Sequence, residues 1–157
     1  MKLTIELVPM DTWKSNLRSL LTAKGWDLVR HKCYNLANNK CELCGANLRV
    51  ECHEIWEYSE PTKTQTLTGV IALCPECHMV KHAGRTISEG KYMVVIKQLI
   101  KVNKITESAA CKYIEEQFVI WRRRGSGWTV DISYLKEYIA DIADFKLKYI
   151  KSESNIS

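Results

Sequence analysis

The chain has 157 residues, of which 46% are hydrophobic and 26% charged, with a formal net charge of +5. This length and apolar content predict a single packed domain over residues 1–157 and argue against a disordered or fibrous chain. No apolar stretch approaches the roughly 18 residues of a membrane span, and "MKLTIELVPM" lacks the apolar run of a signal peptide. The seven cysteines include two C-x-x-C pairs. We therefore expect a reducing compartment, the cytoplasm.

Residues 1–40 predict a short strand followed by a helix. "LTIELV" alternates apolar and polar residues up to Pro9. "GWDLVRHKCYNLANNK" places Val29 and Cys33 on one helical face, and Asn38 and Asn39 favour the end of that helix. Residues 14–40 contain six lysines and arginines but a single acidic residue, Asp27. This local excess of positive charge suits a polyanionic partner.

Residues 85–157 predict a mainly helical segment. Thr86 and Glu89 have the spacing of a capping box and begin "TISEGKYMVVIKQLIKVN", which reads as an apolar helix. A second helix follows from about Thr106 to Arg123. "GSG" then breaks the chain and "WTVDI" is strand-like. Ser133 is a candidate cap for a final helix, whose apolar residues are Leu135, Tyr138, Ile139, Ile142, Phe145 and Tyr149.

Two C-x-x-C steps, Cys41–Cys44 and Cys74–Cys77, dominate the middle of the chain. Two such knuckles can supply four thiolates to a tetrahedral ion, which predicts a structural Zn²⁺ site. The spacer of 29 residues between them is long, so a further element must fit between the knuckles. The alternatives are redox dithiols or buried free cysteines.

A second pair of metal-ligating residues follows the last cysteine directly. Pro75 suits the first position of a helix, so "CPECHMVKHAG" predicts a helix that ends near Gly84. His78 and His82 are four residues apart and share a face of that helix. Cys77 and His78 leave the helix about 100 degrees apart, so one ion is unlikely to bind both. This spacing predicts two sites, one of thiolates and one of imidazoles, unless the histidines are simply solvated.

"LRVECHEIWEY" reads as a strand with His53 near its end. Together, the C-x-x-C step, this histidine and L-C-x-x-C-H-x-x-x-H resemble the zinc-knuckle HNH endonucleases. The flanks "ELVP" and "GWTVDISYL" are similar to a bacterial and phage group of that family. The resemblance implies an α+β protein with a ββα-metal core over about residues 41–84, flanked by helices and short strands. It also implies an enzyme that hydrolyses DNA phosphodiester bonds with a divalent ion.

Carried over by position, the resemblance gives each residue a role. His53 takes the place of the general base, and a neutral imidazole with a pKa of about 6.5 can accept a proton from water. His78 and His82 take the places of ligands for a catalytic ion such as Mg²⁺, Mn²⁺, Ni²⁺ or Zn²⁺. The zinc scaffold is formed by Cys41, Cys44, Cys74 and Cys77.

Around His53 the sequence departs from the family pattern. Cys52 stands where the family commonly has Asp or His as a further metal ligand, and a thiolate there suits zinc but not magnesium. Glu51 or Glu54 could supply a carboxylate instead. On a strand, Glu51 shares the face of His53, whereas Cys52 and Glu54 share the opposite face.

A second departure is Gly69, which stands where the family has the asparagine that orients the base. Gln65, Thr68 or a backbone carbonyl could take over that role. Because of these departures, a catalytically inactive, zinc-scaffolded DNA-binding module stays open as an alternative. An interaction subunit of a phage or defence complex is a third reading.

DNA is the partner that the endonuclease reading requires. Lysines and arginines that contact phosphates supply affinity without reading the sequence. The candidates are Lys81, Arg85, Arg122, Arg123 and Arg124. A run of like charges is also typical of a solvated surface.

Overall fold

The computed structural model describes residues 1–138, as an α+β arrangement of helices around a small three-stranded sheet. Of the described helices, none is long and apolar enough to cross a membrane. The predicted helical residues Ile139, Ile142, Phe145 and Tyr149 lie outside the described part of the chain. In chain order the elements are a 3-10 turn (Met10–Thr12), α1 (Leu17–Leu20), α2 (Ala23–Leu36), β1 (Glu51–Ser59), β2 (Thr64–Leu73), α3 (Pro75–Lys81), α4 (Ala83–Ser88), α5 (Tyr92–Asn103), α6 (Glu107–Arg124), β3 (Thr129–Asp131) and α7 (Tyr134–Tyr138).

The predicted N-terminal strand is wrong, because the first nine residues pair with none of the described strands. Leu3 and Ile5 are nevertheless buried, at 0% and 6% exposure. The amides that a sheet would have satisfied find side chains instead. Asn103 Oδ1 accepts a hydrogen bond from Leu3 N at 2.8 Å, and the Tyr113 hydroxyl accepts one from Ile5 N at 3.0 Å. This N-terminal segment, residues 1–9, is therefore held by α5 and α6.

The predicted helix in residues 25–40 is confirmed as α2. It begins at Ala23 because the Thr22 hydroxyl accepts a hydrogen bond from Gly25 N at 3.1 Å. Asn38 and Asn39 end it, with positive φ values of 51° and 54°. Asparagine adopts this left-handed conformation more readily than other non-glycine residues.

β1 and β2 form an antiparallel hairpin, and β3 adds to the far edge of β2 in parallel. His53 lies opposite Ile71 near the start of β1, not near its end as predicted. The pairing register shifts between Ile55 and Trp56. The hairpin leads directly into α3, so one short stretch of chain carries His53 on β1, His78 on α3 and His82 just after the end of α3.

The predicted capping box at Thr86 is wrong. Thr86 lies inside α4, and its hydroxyl donates a hydrogen bond to the Met79 carbonyl at 2.8 Å. The apolar helix begins later, at Tyr92. The next helix is confirmed as α6, where the Thr106 hydroxyl accepts a hydrogen bond from Ala109 N at 3.2 Å. The strand-like "WTVDI" is confirmed as β3.

Two hydrophobic cores lie on either side of the hairpin. The first includes Leu3, Ile5, Leu73, Val80, Val95, Ile96, Leu99 and Ile114, from the N-terminal segment, the hairpin, α3, α5 and α6. The second includes Leu17, Leu21, Val29, Cys33, Cys52, Trp56, Leu67 and Leu135, from α1, α2, the hairpin and α7. Residues that alternate along the strands therefore enter different cores, as the period of a strand requires.

We predict that Leu3→Ala lowers the free energy of unfolding by about 2–5 kcal/mol, because it leaves a cavity in the first core. The matched control is Leu48→Ala, since Leu48 is 52% exposed. That control should change stability by less than about 0.5 kcal/mol. Urea unfolding followed by circular dichroism measures both. Equal effects would contradict the docking of the N-terminal segment in the core.

Candidate metal centres

The four cysteines of the two C-x-x-C steps meet in one group. The Sγ atoms of Cys41, Cys44, Cys74 and Cys77 all lie within 4.8 Å of one another. The Sγ atoms of Cys44 and Cys74 are 3.6 Å apart. Four thiolates bound tetrahedrally to zinc are about 3.8 Å apart, because each Zn–S bond is about 2.3 Å long. This group could hold a metal ion.

A tight turn at residues 41–46 positions the first cysteine pair. Cys41 N donates to the Ala46 carbonyl at 3.0 Å and Gly45 N donates to the Cys41 carbonyl at 2.8 Å. Gly45 has a φ of +75°, a conformation that glycine adopts without strain. Glu42 joins this turn to β2, because its carboxylate accepts a hydrogen bond from Ala72 N at 2.7 Å.

The second pair lies at the start of α3. Cys74 occupies the N-cap position and Pro75 the first turn, as predicted. Cys77 is fully buried, and the amide of Gln98 on α5 donates to its Sγ at 3.1 Å. Sequence reasoning missed Gln98, because it lies 21 residues from Cys77 and its helical position carries no signal of its own.

Burial governs the ionisation of these thiols. It raises the pKa of Cys74 to about 12 and raises the pKa of Cys77 as well. Burial also acts on Cys41, but backbone hydrogen bonds from Cys44 and Cys74 oppose it and lower the pKa of Cys41 to about 7. A bound cation would stabilise the thiolate forms of Cys74 and Cys77 against the effect of burial, as it does for metal ligands.

Three histidines form a second group. The imidazoles of His53, His78 and His82 offer nitrogen atoms that lie within 4.8 Å of one another. Their ring centroids are 4.6–5.2 Å apart, and Nε2 of His78 is 3.0 Å from Nε2 of His82. The sequence predicted that Cys77 and His78, although adjacent, belong to two different groups. The structure confirms this separation, with Cys77 among the thiols and His78 among the imidazoles. The histidine group could also hold a metal ion.

Two carboxylates contact ring nitrogens of this group, one at His53 and one at His78. Glu51, on the His53 face of β1, contacts Nδ1 of His78. Glu6, from the N-terminal segment, places Oε2 at 3.0 Å from Nε2 of His53. Carboxylates commonly occupy this position behind functional histidines, where they fix the tautomer and the ring orientation. Glu51 was predicted to support the site, whereas Glu6 was missed.

The histidine group runs from the interior to the surface: His53 is 3% exposed, His78 is half-buried and His82 is exposed. Burial lowers the pKa of His53 to about 3. Partial burial, followed by the neighbouring His53 and His78, also lowers the pKa of His82. The rings of His53 and His82 are therefore neutral at physiological pH, as a metal ligand or a base must be. Burial raises the pKa of Glu6 to about 7, although the Lys81 cation and the Trp56 amide both oppose this.

The structure places Cys52 and Glu54 away from the histidines, on the opposite face of β1. Cys52 is buried in the second core, and its thiol contacts Cys33, which raises the pKa of Cys52 together with burial. Glu54 accepts a hydrogen bond from Leu17 N at 2.9 Å, at the start of α1. The predicted proximity of Cys52 to the catalytic ion is thus wrong, because the pleat of the strand turns it into the core.

Two of the predicted DNA contacts make internal contacts instead. Lys81 is 9% exposed, and its ammonium donates to the Thr4 hydroxyl at 2.9 Å. Arg124 donates to the Leu7 carbonyl at 2.7 Å, and its guanidinium lies 3.7 Å from the centroid of the Tyr58 ring. Both cations hold the N-terminal segment in place, which removes them from the set of exposed cations.

The remaining predicted cations are exposed. The side chain of Arg85 is 74% exposed and pairs with Glu89 at 2.8 Å. Arg85 lies in α4, three residues after His82, which is the N-cap of that helix. Arg122 and Arg123 are exposed at the end of α6.

Comparisons of this chain with protein-family models, with curated proteins and with solved structures find no match. The evidence for a site is therefore the geometry of the two groups themselves.

We predict that Cys77→Ser removes one equivalent of bound zinc and unfolds the region around α3. A structural zinc ion contributes roughly 10–16 kcal/mol in small zinc domains, which is comparable to the whole stability of a typical domain. Metal analysis and thermal melting measure the two effects. The control is Cys111→Ser, a half-buried cysteine outside the thiol group. Unchanged zinc content in Cys77→Ser would contradict the thiol site.

We further predict that the double variant His78→Ala and His82→Ala loses an exchangeable ion but keeps the tightly held one. The matched control is His31→Ala, because His31 is exposed on α2 and lies outside the group. Metal analysis should give one ion per chain for the double variant and two for the control. Two ions in the double variant would show that these imidazoles hold none.

Proposed function

We propose that the chain is a metal-dependent endonuclease of the HNH type, which hydrolyses DNA phosphodiester bonds within a ββα-metal core. The observation that carries this proposal is the convergence of His53, His78 and His82 beside a group of four thiols. The hairpin and α3 bring these residues together in the chain order that the HNH resemblance implies.

The two groups take different roles in this proposal. Cys41, Cys44, Cys74 and Cys77 hold a structural Zn²⁺, since four thiolates suit a closed and permanent zinc site. His78 and His82 hold the catalytic ion. When bound, a divalent ion supplies positive charge that stabilises the phosphate and the leaving oxygen in the transition state.

The proton chemistry belongs to His53. Its neutral imidazole accepts a proton from a water molecule, whose oxygen then forms a bond to phosphorus. The bond from phosphorus to the 3′ oxygen breaks, and that oxygen takes a proton from solvent. The products are a 5′-phosphate and a 3′-hydroxyl.

The donor set favours some ions over others. His78 and His82 offer nitrogen, and the neighbouring carboxylate of Glu51 is engaged with an imidazole. Cys52 is turned away into the second core. Imidazole nitrogen suits zinc and nickel better than magnesium, which prefers oxygen. We therefore expect nickel or zinc to support cleavage better than magnesium does.

In this proposal, the exposed arginines contact the phosphates of the DNA backbone. Arg85 follows His82 by three residues and is the best placed of the predicted residues to contact a phosphate near the histidine group. Arg122 and Arg123 are exposed and could contact phosphates further away. These contacts would supply salt-dependent affinity without sequence preference.

A second candidate function is a non-catalytic DNA-binding or interaction subunit of a phage or defence complex. The observation that favours it is the 3% exposure of His53, since a base must reach its water. Gly69 adds to it, because the residue that usually orients the base has no side chain here. Activity measurements separate the two candidates.

We predict that His53→Ala lowers the rate of plasmid nicking by about 10²–10⁴-fold, the usual contribution of a general base. Nicking is measured with manganese, nickel, zinc and magnesium in turn. His31→Ala is the matched control and should nick at the wild-type rate. Metal analysis of His53→Ala should still give two ions per chain.

Three results would count against this assignment. Unchanged nicking by His53→Ala would exclude His53 as the base. Loss of the second ion in that variant would make His53 a ligand instead. Absence of nicking by folded wild-type protein with every metal would favour the non-catalytic candidate.

A further inference from the structure

We infer that Glu6 is the residue that positions His53, by holding the imidazole proton on Nε2 and leaving the lone pair of Nδ1 as the basic atom. This inference rests on the proposed function, in which His53 is the general base. It gives the N-terminal segment a role in the site, although that segment lies 47 residues from His53 in the sequence.

The contact itself is short and buried. Oε2 of Glu6 lies 3.0 Å from Nε2 of His53, and the two side chains are 9% and 3% exposed. On the other side of the ring, Nδ1 of His53 is buried without a hydrogen-bond partner among the described residues. A neutral imidazole carries its proton on one nitrogen only, and a carboxylate on Nε2 fixes the proton there. Nδ1 is then the free acceptor.

Burial raises the pKa of Glu6, but two polar contacts favour its ionised form. Its Oε1 accepts a hydrogen bond from Trp56 N at 3.0 Å, at the shift in the hairpin register. The Lys81 ammonium lies 4.0 Å from Oε2. An ionised carboxylate can only accept, so Nε2 of His53 must be the donor.

The backbone of Glu6 is anchored as well as its side chain. Glu6 N donates to the Lys81 carbonyl at 3.1 Å, at the end of α3. Its side chain reaches β1 at His53 and Trp56. One residue therefore connects the C-terminal end of α3, between His78 and His82, to the strand that carries His53.

The residues that sequence reasoning offered for this role are engaged elsewhere. Gln65 accepts a hydrogen bond from the Thr12 hydroxyl at 2.6 Å, and Thr68 donates to the Ile55 carbonyl at 3.3 Å. A Cβ at Gly69 would lie 3.4 Å from Cδ1 of Ile55, so the Ile55 side chain covers this position. Glu6 supplies the polar contact that a glycine cannot.

The test uses NMR on the full chain as purified, with ¹⁵N-labelled histidine, at about pH 8 where the Glu6 carboxyl is ionised. Long-range ¹H–¹⁵N spectra report which ring nitrogen carries the proton, and the His53→Ala spectrum identifies the His53 signals. We expect the Nε2–H tautomer for His53 in the wild type. Glu6→Ala should give a mixture of both tautomers.

Two further variants separate positioning from loss of structure. Glu6→Gln keeps the volume of the side chain but offers one acceptor oxygen for two donors, so we expect a partial shift in tautomer. Thr12→Val removes a buried hydrogen bond between the N-terminal region and the hairpin, at Gln65, and should leave the tautomer unchanged. In nicking assays Glu6→Ala should lower kcat by about 10–100-fold, as for other residues behind a functional histidine, with little change in KM.

The outcomes distinguish this inference from the proposed function. An Nδ1–H tautomer in the wild type, or an unchanged tautomer in Glu6→Ala and Glu6→Gln, would overturn the role of Glu6 even if the protein nicks DNA. An Nε2–H tautomer that depends on Glu6, in a protein that cuts no DNA, would support Glu6 as the residue that orients His53 and would overturn the nuclease proposal.

Discussion

The close approach of four thiols is the constraint on which the rest of the structure depends. It joins a turn near Cys41 to the first turn of α3, and a bound cation would stabilise these neighbouring sulfur atoms as thiolates. Because Cys77 and His78 are adjacent, any force that fixes the start of α3 also fixes His78 and His82 against β1. The positions of the histidines, and with them the proposed chemistry, thus depend on the group of four thiols.

Neighbouring residues of β1 point to opposite faces of the strand and therefore have different roles. Glu51 and His53 face the imidazole group, whereas Cys52 and Glu54 face the second core and α1. A strand points alternate side chains to opposite faces, so the histidine site occupies one face while Cys52 packs into the core on the other. Cys52 therefore contributes packing to the fold although it is adjacent in sequence to the proposed base.

Local spacing determined what could be predicted from the sequence. The C-x-x-C steps, the i and i+4 histidines and the alternation along β1 each involve neighbouring residues, and the members of each pattern do lie together. The element bounds were less accurate, since α3 ends at Lys81 and not near Gly84, with His82 just beyond it. Glu6 and Gln98 were missed because their roles arise only when distant segments pack together. The pattern in "LTIELV" correctly marked alternate burial but could not identify a pairing partner, so a strand was predicted where side chains of α5 and α6 satisfy the backbone. The role of Thr86 was wrong for a related reason, since its hydroxyl bonds backward to α3.

The buried charge of Lys81 links the stability of the fold to the protonation state of Glu6. Lys81 is buried, and its ammonium contacts the Thr4 hydroxyl at 2.9 Å and the Glu6 carboxylate at 4.0 Å. A buried cation without a counter-charge is costly, so Lys81 favours the ionised form of Glu6 against the burial of that carboxyl. A protonated Glu6 would instead donate to Nε2 of His53 and move the imidazole proton to Nδ1. The state of Glu6 that compensates Lys81 is therefore the same state that leaves Nδ1 of His53 free to accept a proton.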